Sequence, residues 1–409
     1  MKLPKLRRRS KGGKKHLLLV VENAAVPHDR RVWNQARAAQ RNGYDVTVIC
    51  PKGRKGADAS REVSEGVRVR RFPMPFDGPK KTDFLLEYGW AMICIFAMSI
   101  TTYIRKPFHL IHVANPPDLF FGLGWLFSPL GVKFVFDQHD LGPETYQSKY
   151  EEPAEGFVTN ALAWTEQRSY RAADTVIVTN HSYEERALGR GRMAPEDVFV
   201  VRNSPDLNLF QPCAPNLDLR RGFEHLAVFV GTMGHQDGVH IAMEAAAHVR
   251  QTLGRTDIGF VFIGTGDMWD SLQIRHTELD LGDGVWFTGF ISDEDMLEYL
   301  SSATVGMAPD IDSPLNNIST MIKTMDYMAM GLPVVSFDLT ESRFSAGDAA
   351  IYATEHSSES FGDAVVALVD DPERCEKMAR LGNERISGPL SWAQSERQLL
   401  ACYQRAFDK

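Results

Sequence analysis

The sequence predicts an α/β protein built from two Rossmann-like, doubly wound domains. Residues 16–50 read as strand, helix and strand, and such a βαβ unit implies a parallel sheet. A second series of short, β-branched strands begins at residue 226. Residues 204–219, rich in proline and turn formers, separate the two series and predict a linker. A chain of 409 residues is long for one hydrophobic core and comfortable for two.

The predicted boundaries divide the chain into a basic arm, two domains and a final helix. The arm covers residues 1–15 and reads as disordered, the first domain covers 16–205, and the second covers 206–390. An amphipathic helix at residues 391–409 follows the last strand. In the first domain we expect a helix at 30–42 and strands at 16–22, 45–50, 67–72, 110–114, 133–137, 175–179 and 198–201. In the second domain we expect strands at 226–230, 259–263, 285–288, 305–308, 334–337 and 350–352.

Charge and cysteine content exclude several classes of protein. The net charge of −8 argues against general nucleic-acid binding. The five cysteines have no CxxC spacing, which argues for a reducing compartment and against structural zinc. The arm can bind anionic lipid head groups or act only as a solubilising tail, and it lacks the apolar region of a secretory signal. Its basic residues are Lys2, Lys5, Arg7, Arg8, Arg9, Lys11, Lys14 and Lys15.

The most apolar stretch of the chain covers residues 88–104. It has 17 residues without a charge and is followed by Arg105 and Lys106. This length is at the lower limit for a membrane span. We expect a helix that is buried against the first sheet or that exposes an apolar face at a membrane surface, in preference to a transmembrane helix.

The segment NNISTMIKTMDYMAMGLPVVSFD, residues 316–338, predicts a polar loop, a helix and a strand. Ser319 or Thr320 can cap the helix. Lys323 and Asp326 are three residues apart and therefore lie on the same helix face. A helix N-terminus with a cation and a carboxylate suits a ligand with phosphate and hydroxyl groups. The alternative is an ordinary helix with two solvated charges.

Three other segments place polar residues or glycines directly after predicted strands. FDQHDLGPE, residues 136–144, contains His139 and Asp140 in a loop where open α/β sheets bind ligands, although a structural histidine is the alternative. FVGTMGHQDG, residues 229–238, opens the second domain with a turn whose backbone N–H groups can bind phosphate. FIGTG, residues 262–266, is a weaker signal of the same kind. The glycines of these two turns are Gly231, Gly234, Gly264 and Gly266.

These segments, taken in order, resemble retaining glycosyltransferases of family 4. KTMDYMAMGLPVV, from Lys323 onwards, resembles the helix and strand that bind the nucleotide-sugar donor in that family. His139 matches by position the family's histidine that faces the donor sugar. VPHDRRV, residues 26–32, resembles its acceptor-side segment, and Asp29 and Arg30 are the matching residues. The resemblance runs from about residue 16 to the C-terminus and depends on the ordered set of motifs.

The resemblance implies two domains facing across a cleft, the GT-B arrangement, with the final helix returning to the first domain. It also implies roles: Lys323 stabilises the leaving diphosphate, Asp326 holds the ribose hydroxyls, and His139 positions the sugar. Asp140 joins Asp29 and Arg30 on the acceptor side. Loops around Gly264, Gly266 and Phe290 would hold the base and ribose, and the remaining expected donor contacts are Gly231, Gly234, Asn317, Ser319, Thr320, Arg202 and Arg343.

The sequence departs from the family pattern at three positions. Thr232 and Asp237 stand where many members have the arginine and lysine that stabilise the diphosphate, so Arg202 and Arg343 are candidates to share that task. Ile318 stands where the family has its first acid. The candidates to replace that sugar contact are Asp310, Asp312, Asn316 and Asn317.

The expected reaction is transfer of a sugar from a nucleoside-diphosphate sugar to a hydroxyl, with retention of configuration. A phosphate oxygen of the leaving group can take the proton, and no DxD-type run predicts a metal, so we expect no metal and no cofactor besides the nucleotide sugar. We expect a cytoplasmic protein, peripheral on the inner face of the membrane, that uses a lipid-linked acceptor in surface-glycan synthesis. The alternatives are a nucleotide-sugar epimerase or phosphorylase, or a catalytically degenerate partner subunit; a dehydrogenase is disfavoured because no full GxGxxG opens either half.

Overall fold

The structure is a computed structural model that describes residues 13–53, 58–75, 81–150 and 156–409. Most of the predicted basic arm, residues 1–12, therefore lies outside the described residues. The described chain folds into two α/β domains, each built on its own twisted sheet. The predicted fold class is confirmed.

The first domain has an eight-stranded sheet with the order β3-β4-β2-β1-β5-β6-β7-β8. All its strands pair in parallel except β3, which is antiparallel to β4. The strands are β1 His16–Val21, β2 Asp45–Pro51, β3 Arg61–Ser64, β4 Val67–Phe72, β5 Leu110–Ala114, β6 Lys133–Gln138, β7 Thr175–Val178 and β8 Val198–Val200. The sequence analysis missed β3, a short edge strand joined to β4 by Glu65 and Gly66, which both have positive φ.

The second domain has a six-stranded parallel sheet with the order β11-β10-β9-β12-β13-β14. Its strands are β9 His225–Val230, β10 Ile258–Ile263, β11 Val285–Gly289, β12 Val305–Ala308, β13 Val334–Ser336 and β14 Ala350–Tyr352. In both sheets the strand order reverses once, between β1 and β5 and between β9 and β12. The carboxyl ends of strands at such a reversal open a crevice that can hold a ligand.

Helices cover both faces of each sheet. In the first domain they are α1 Arg30–Arg41, α2 Lys81–Arg105, α3 Phe121–Phe127, α4 Gly142–Tyr150, α5 Phe157–Ala172 and α6 His181–Gly189. In the second domain and beyond they are α7 Val239–Ala247, α8 Trp269–Glu278, α9 Asp293–Ser302, α10 Pro314–Ile318, α11 Ile322–Ala329, α12 Thr340–Ala346, α13 Ser358–Val369, α14 Pro372–Ser387 and α15 Trp392–Asp408.

Helix α15 returns to the first domain and completes its core. Leu399, Cys402 and Tyr403 are fully buried there, beside residues of α1 and β1. The two segments that connect the domains are hydrogen-bonded to each other, because the Ser204 hydroxyl donates to the Leu390 carbonyl at 2.6 Å. Closing the first core therefore requires the last helix of the chain.

Helix α2 carries the apolar run and is buried on one face only. Ala91 and Ile95 are fully buried in the first domain's core. On the other side Ile93 and Ile104 are exposed by 66% and 75%. In the part of the chain that the structure describes, no helix has the length and apolar character needed to cross a membrane. The two expected features, burial against the sheet and an exposed apolar face, occur on the same helix.

The predicted capping of the helix that carries Lys323 and Asp326 is wrong. The segment forms two short helices, α10 and α11, and the N-cap of α11 is Met321, which makes no side-chain capping bond. The Ser319 hydroxyl instead donates to the Leu315 carbonyl at 2.8 Å. Thr320 accepts a hydrogen bond at 3.0 Å from Asn180 of the first domain. Both hydroxyls are thus engaged before α11 begins.

Candidate active site at the domain cleft

The carboxyl end of β6 carries a buried charged network centred on Asp137. This carboxylate is completely buried and accepts hydrogen bonds from Arg31 at 2.8 Å, from Gln35 at 2.7 Å and from His112 at 3.1 Å. Although burial opposes ionisation, Arg31 and His139 hold the pKa of Asp137 well below its usual range. Asp137 is therefore a fixed negative charge beneath the cleft.

This network fixes the orientation of His139. Its Nε2 accepts a hydrogen bond from Nε of Arg31 at 2.8 Å and lies 2.9 Å from Oδ2 of Asp137. Nε2 is therefore fully engaged, whereas Nδ1 makes no hydrogen bond within the described residues. The backbone N–H of His139 donates to Asn115 at 2.6 Å, which holds the loop against the end of β5. Nδ1 is thus the ring nitrogen of His139 that remains to bind a ligand.

The expected acceptor-side residues lie around the entrance of the first domain's crevice. Asp29 caps α1 by accepting from the Val32 N–H at 2.9 Å. Arg30 reaches across the cleft and pairs with Asp293 of the second domain at 2.7 Å. Asp140 is exposed, and its backbone N–H donates to Asn115 at 3.1 Å. Asp29 is thus engaged as a cap, and Arg30 links the two domains.

Glu22, which directly follows β1, is buried in the same crevice. Its Oε1 has no hydrogen-bond partner among the described residues. Burial, reinforced by Glu87, raises the pKa of Glu22 to about 8. The side chain therefore holds a proton at neutral pH.

In the second domain the glycine turns pack against each other at close range. A Cβ on Gly264, whose φ is +129°, would lie 1.9 Å from the Gly231 carbonyl oxygen. A Cβ on Gly266 would meet the Met233 backbone at 2.5 Å. Gly234 also belongs to this turn, and its N–H donates to Asp237 at 3.2 Å. Only glycine allows these turns to meet at the ends of β9 and β10.

Lys323 lies beside the first of these turns and is nearly buried. Its Cε would be 3.4 Å from a Cβ on Gly231. Its Nζ pairs with Asp310 at 2.5 Å and with Asp237 at 3.3 Å. Burial opposes the charge, but the two carboxylates outweigh it and raise the pKa of Lys323. Lys323 is therefore charged, and two carboxylates already surround it.

Asp326 lies three residues further along α11 and is half-buried. No hydrogen bond to its carboxylate is formed within the described residues. Burial raises the pKa of Asp326 to about 7, against the opposing effect of Arg30. A half-buried carboxyl group without a partner suits hydroxyl groups of a ligand, since each hydroxyl can donate to it.

The other predicted donor contacts divide into interface residues and surface residues. Arg202 is buried at the domain junction, 3.6 Å from Glu341. Arg343 is exposed and pairs with Asp338 at 2.5 Å. Asn317 accepts from the Thr340 N–H at 3.3 Å, while Phe290 is 88% exposed. Each arginine is thus held by a carboxylate other than those around Lys323.

The sequence analysis missed several residues that the fold brings into the site. Arg31 and Asp137 orient His139. Both are charged residues next to residues that the sequence analysis singled out, one at the start of α1 and one at the end of β6. Their charge at these positions was the signal that could have identified them. Asp237 and Asp310 were noted, but their pairing with Lys323 was not anticipated. Glu22 belongs to no motif, and its position directly after a buried strand was the only sequence feature that pointed to the site.

One group of residues has the spacing to hold a metal ion, but it lies away from the cleft. Among the described residues, Glu224, His225 and Asp257 bring their ligand atoms within 4.8 Å of one another. They lie at the start of β9, and the cleft is at the other end of this strand. Asp257 is also paired with Arg255 at 2.8 Å. This group is therefore not part of the candidate active site.

Two Rossmann-like domains with their strand ends directed at a shared cleft define the GT-B class of glycosyltransferases. Residues 28–204 match the family described as the glycosyl transferase 4-like domain. Residues 224–371 match the family described as glycosyl transferases group 1. The first domain belongs to the former family and the second to the latter, and the chain is a glycosyltransferase of the type that uses nucleotide sugars.

The curated relatives agree with this assignment, and the solved structures share the fold. Alpha-maltose-1-phosphate synthase of Mycobacterium tuberculosis is 28% identical over 299 residues, which are 67% of this chain and 73% of that protein. The sucrose-phosphate synthase structure from Thermosynechococcus elongatus has a TM-score of 0.78 at 19% identity and covers 97% of this chain and 100% of that one. Anabaena Alr3699/HepE, solved with UDP and glucose, has a TM-score of 0.69 at 14% identity, covering 95% and 99%.

Proposed function

We propose that the chain transfers a sugar from a nucleoside-diphosphate sugar to a hydroxyl group with retention of configuration. One observation carries the proposal: an oriented imidazole, His139, follows the carboxyl end of β6 in the first domain, and a buried cation, Lys323, lies beside the turn that follows β9 in the second. The donor diphosphate would bind between Lys323 and the glycine turn at Gly231, since the lysine lies beside that turn. Asp326 would accept from the ribose hydroxyls.

The charges of the site suggest how the leaving group is stabilised. Breaking the glycosidic bond builds negative charge on the diphosphate, which needs preorganised donors. Lys323 supplies one of these donors. Its ion pair with Asp237 is longer, at 3.3 Å, than its pair with Asp310, so a bound phosphate would displace Asp237 from the lysine. Asp310 would keep the lysine in place. A phosphate oxygen of the leaving group would accept the proton of the acceptor hydroxyl, and His139 would hold a sugar oxygen.

We propose that transfer needs no metal ion and no cofactor beyond the nucleotide sugar. Lys323 and backbone N–H groups provide positive potential where the phosphates would bind. Activity should therefore persist in excess chelator. A loss of activity with chelator that Mg²⁺ restores would overturn this, and Asp237 and Asp310 would then be the first residues to test as ligands, since carboxylates together with substrate phosphates bind that ion.

A donor screen tests the proposed reaction. The purified full chain would be incubated with a panel of nucleotide sugars and glycan acceptors, and release of nucleoside diphosphate would be measured. Release that depends on acceptor, with a product of unchanged anomeric configuration by NMR, supports retaining transfer. Binding of a nucleoside diphosphate without any turnover would favour the alternative of a glycosyltransferase-like partner subunit. Conversion of the sugar nucleotide without acceptor would favour an epimerase.

We propose further that the acceptor is lipid-linked, that the product belongs to a surface glycan, and that the protein is cytoplasmic and peripheral on the inner membrane face. The support is the exposed apolar side of α2, which includes Ile93 and Ile104, together with the basic residues 1–15. Sedimentation with anionic vesicles at low and high salt tests this. A chain that stays in the supernatant at low salt contradicts it, and Ile93→Ser with Ile104→Ser should remove the salt-resistant part.

A further inference from the structure

A second cavity lies in the first domain, at the end of the sheet opposite the cleft. It has a volume of about 540 Å³ and lies between the β3–β4 hairpin and the last turn of α2. Its charged lining is Arg61, Glu62, Arg68, Arg70, Arg105 and Lys106. Five cations and one carboxylate make this cavity strongly positive in a chain whose net charge is −8.

Two of these cations and the carboxylate have ion-pair partners. Arg68 pairs with Asp45 at 2.6 Å, and Lys106 binds the other oxygen of the same carboxylate. Glu62 forms an ion pair with Arg71 at 2.6 Å. The only histidine of the lining, His16, is neutral, because burial lowers its pKa to about 4.

Three arginines, Arg61, Arg70 and Arg105, have no carboxylate partner among the described residues. Arg70 is held against α2 by bonds to the Met98 carbonyl at 2.9 Å and to the hydroxyls of Thr101 and Thr102. Its Nε is buried without a hydrogen-bond partner in the described chain. Burial and the charges of Arg61 and Arg105 lower the pKa of Arg70, so an anion among the three would relieve their repulsion.

The cavity adjoins the exposed apolar side of α2. Ile104, which is 75% exposed, directly precedes Arg105, and Ile100 is 40% exposed one turn earlier. Apolar side chains next to unpaired arginines form the pattern of a surface that sits at the boundary between acyl chains and anionic head groups. A soluble phosphate would leave the isoleucines in contact with water, whereas the acyl chains of a lipid would bury them, so the pattern favours a lipid.

We propose that Arg61, Arg70 and Arg105 bind the phosphate of an anionic phospholipid head group while the isoleucines of α2 contact its acyl region. The lipid source rests on the membrane location proposed above, whereas the phosphate chemistry does not. Helix α2 has 25 residues and is about 37 Å long. Its first part lies near Glu22 at the cleft end of the sheet, and burial followed by the charge of Glu22 raises the pKa of Tyr88 there to about 12. Binding at its far end would therefore lay the cleft entrance along the membrane.

The test compares two variants of the full chain that lose the same charge. Arg61→Gln with Arg105→Gln removes two exposed cations of the cavity, and Arg374→Gln with Lys377→Gln removes two exposed cations of α14 in the second domain. Binding to vesicles of phosphatidylglycerol and of phosphatidylcholine would be measured by sedimentation. The cavity variant should bind phosphatidylglycerol vesicles about 25-fold more weakly, since each cation near an anionic surface contributes about fivefold. The α14 variant should match the wild type.

The outcomes separate the lipid from a soluble phosphate. Equal vesicle binding by the two variants overturns the proposal. If calorimetry shows that inorganic phosphate binds the wild type and not the cavity variant while vesicle binding is equal, the cavity takes a soluble phosphate and the lipid assignment is wrong. Nucleoside diphosphate release, assayed without vesicles, should be the same in both variants, so a failed transferase assay would leave this result interpretable.

Discussion

Lys323 is charged but already surrounded by Asp310 and Asp237, and this arrangement makes a two-sided prediction. Lys323→Ala should weaken binding of a nucleoside diphosphate by about 1.5–3 kcal/mol, the value of a charge-assisted hydrogen bond. Asp237→Asn should instead tighten binding several-fold, because it releases the lysine and removes a negative charge. Calorimetry measures both. Unchanged affinity in both variants would remove Lys323 from the site.

A control separates binding from folding in this cluster. Lys323→Ala leaves the buried Asp310 without its partner, and breaking a buried pair costs about 3–5 kcal/mol of stability. Adding Asp310→Asn should restore most of that stability without restoring the affinity for nucleoside diphosphate. Recovery of both properties would mean that Lys323 acts only through the fold.

His139 is predicted to act as a hydrogen-bond donor through Nδ1. His139→Ala should lower turnover at least about tenfold, the loss expected when one donor to the reacting sugar is removed. His139→Asn should lower it less, because the asparagine N–H₂ group occupies nearly the same place as Nδ1–H. Turnover and thermal unfolding of both variants would be measured. Equal loss in both variants contradicts the donor role, and normal turnover in both returns His139 to a structural role.

Glu22 predicts a pH dependence of stability. Its carboxyl group has a pKa of about 8 when folded and 4.5 as the ordinary value, so the folded state keeps the proton to higher pH. The free energy of unfolding should therefore fall as pH rises from about 4.5 to about 8. Glu22→Gln should remove this fall, so its stability relative to the wild type should rise by about 3 kcal/mol between pH 5 and pH 8. Urea unfolding at both pH values would measure it, and a constant difference would contradict it.

At the scale of elements, the meeting of the β9 and β10 turns depends on Gly264. An alanine there would have to adopt a φ of +129°, and its Cβ would lie 1.9 Å from the Gly231 carbonyl oxygen. Gly254 provides the matched control, since it has a positive φ of +70° with nothing within 4 Å. Gly254→Ala should cost about 1–2 kcal/mol from backbone strain alone. Gly264→Ala should cost about 2–3 kcal/mol more and should weaken nucleotide binding.

Denaturant unfolding and calorimetry on the two alanine variants measure these differences. Equal destabilisation would mean that the turns can separate at no cost, and the close approach would then not shape the phosphate site. The contrast is informative because both glycines lie in loops of the same domain and both need a positive φ.

At the scale of the whole molecule, the last helix is coupled to the candidate active site. The Tyr403 hydroxyl of α15 donates to Nδ1 of His112 at 2.8 Å, and His112 donates through Nε2 to Asp137 at 3.1 Å. Tyr403→Phe should cost about 1–2 kcal/mol, because it leaves the buried Nδ1 without a donor. It should lower kcat several-fold with little change in KM for the nucleotide sugar.

The expected split between kcat and KM distinguishes positioning from simple destabilisation. Tyr403 contacts the network of the first domain, whereas the donor would bind mainly to the second. A variant that loses stability while keeping both kinetic constants would show that the helix supports only the core. Tyr44→Phe is a control, since Tyr44 packs against the Tyr403 ring at 5.9 Å but has no hydrogen bond to the network within the described residues.

The sequence by itself determined every strand except β3, the division into two domains, and the strand ends at which polar residues and glycines would lie. These features depend on local periodicity and on turn chemistry, which act over a few residues. The edge strand β3 was not predicted, because four residues that alternate between exposed and half-buried give a weak sequence signal. The cap at Ser319 or Thr320 was wrong because both hydroxyls are engaged before α11, one of them by the partner domain.

Only the tertiary structure decided which side chains meet. Asp237 and Lys323 are 86 residues apart, and His112 and Tyr403 are 291 apart. Their contacts depend on the strand order of each sheet and on the return of α15, which no local pattern encodes. The charge of Lys323, the orientation of His139 and the unpaired arginines beside α2 follow from these distant partners, since burial and neighbouring charge set the state of an ionisable group.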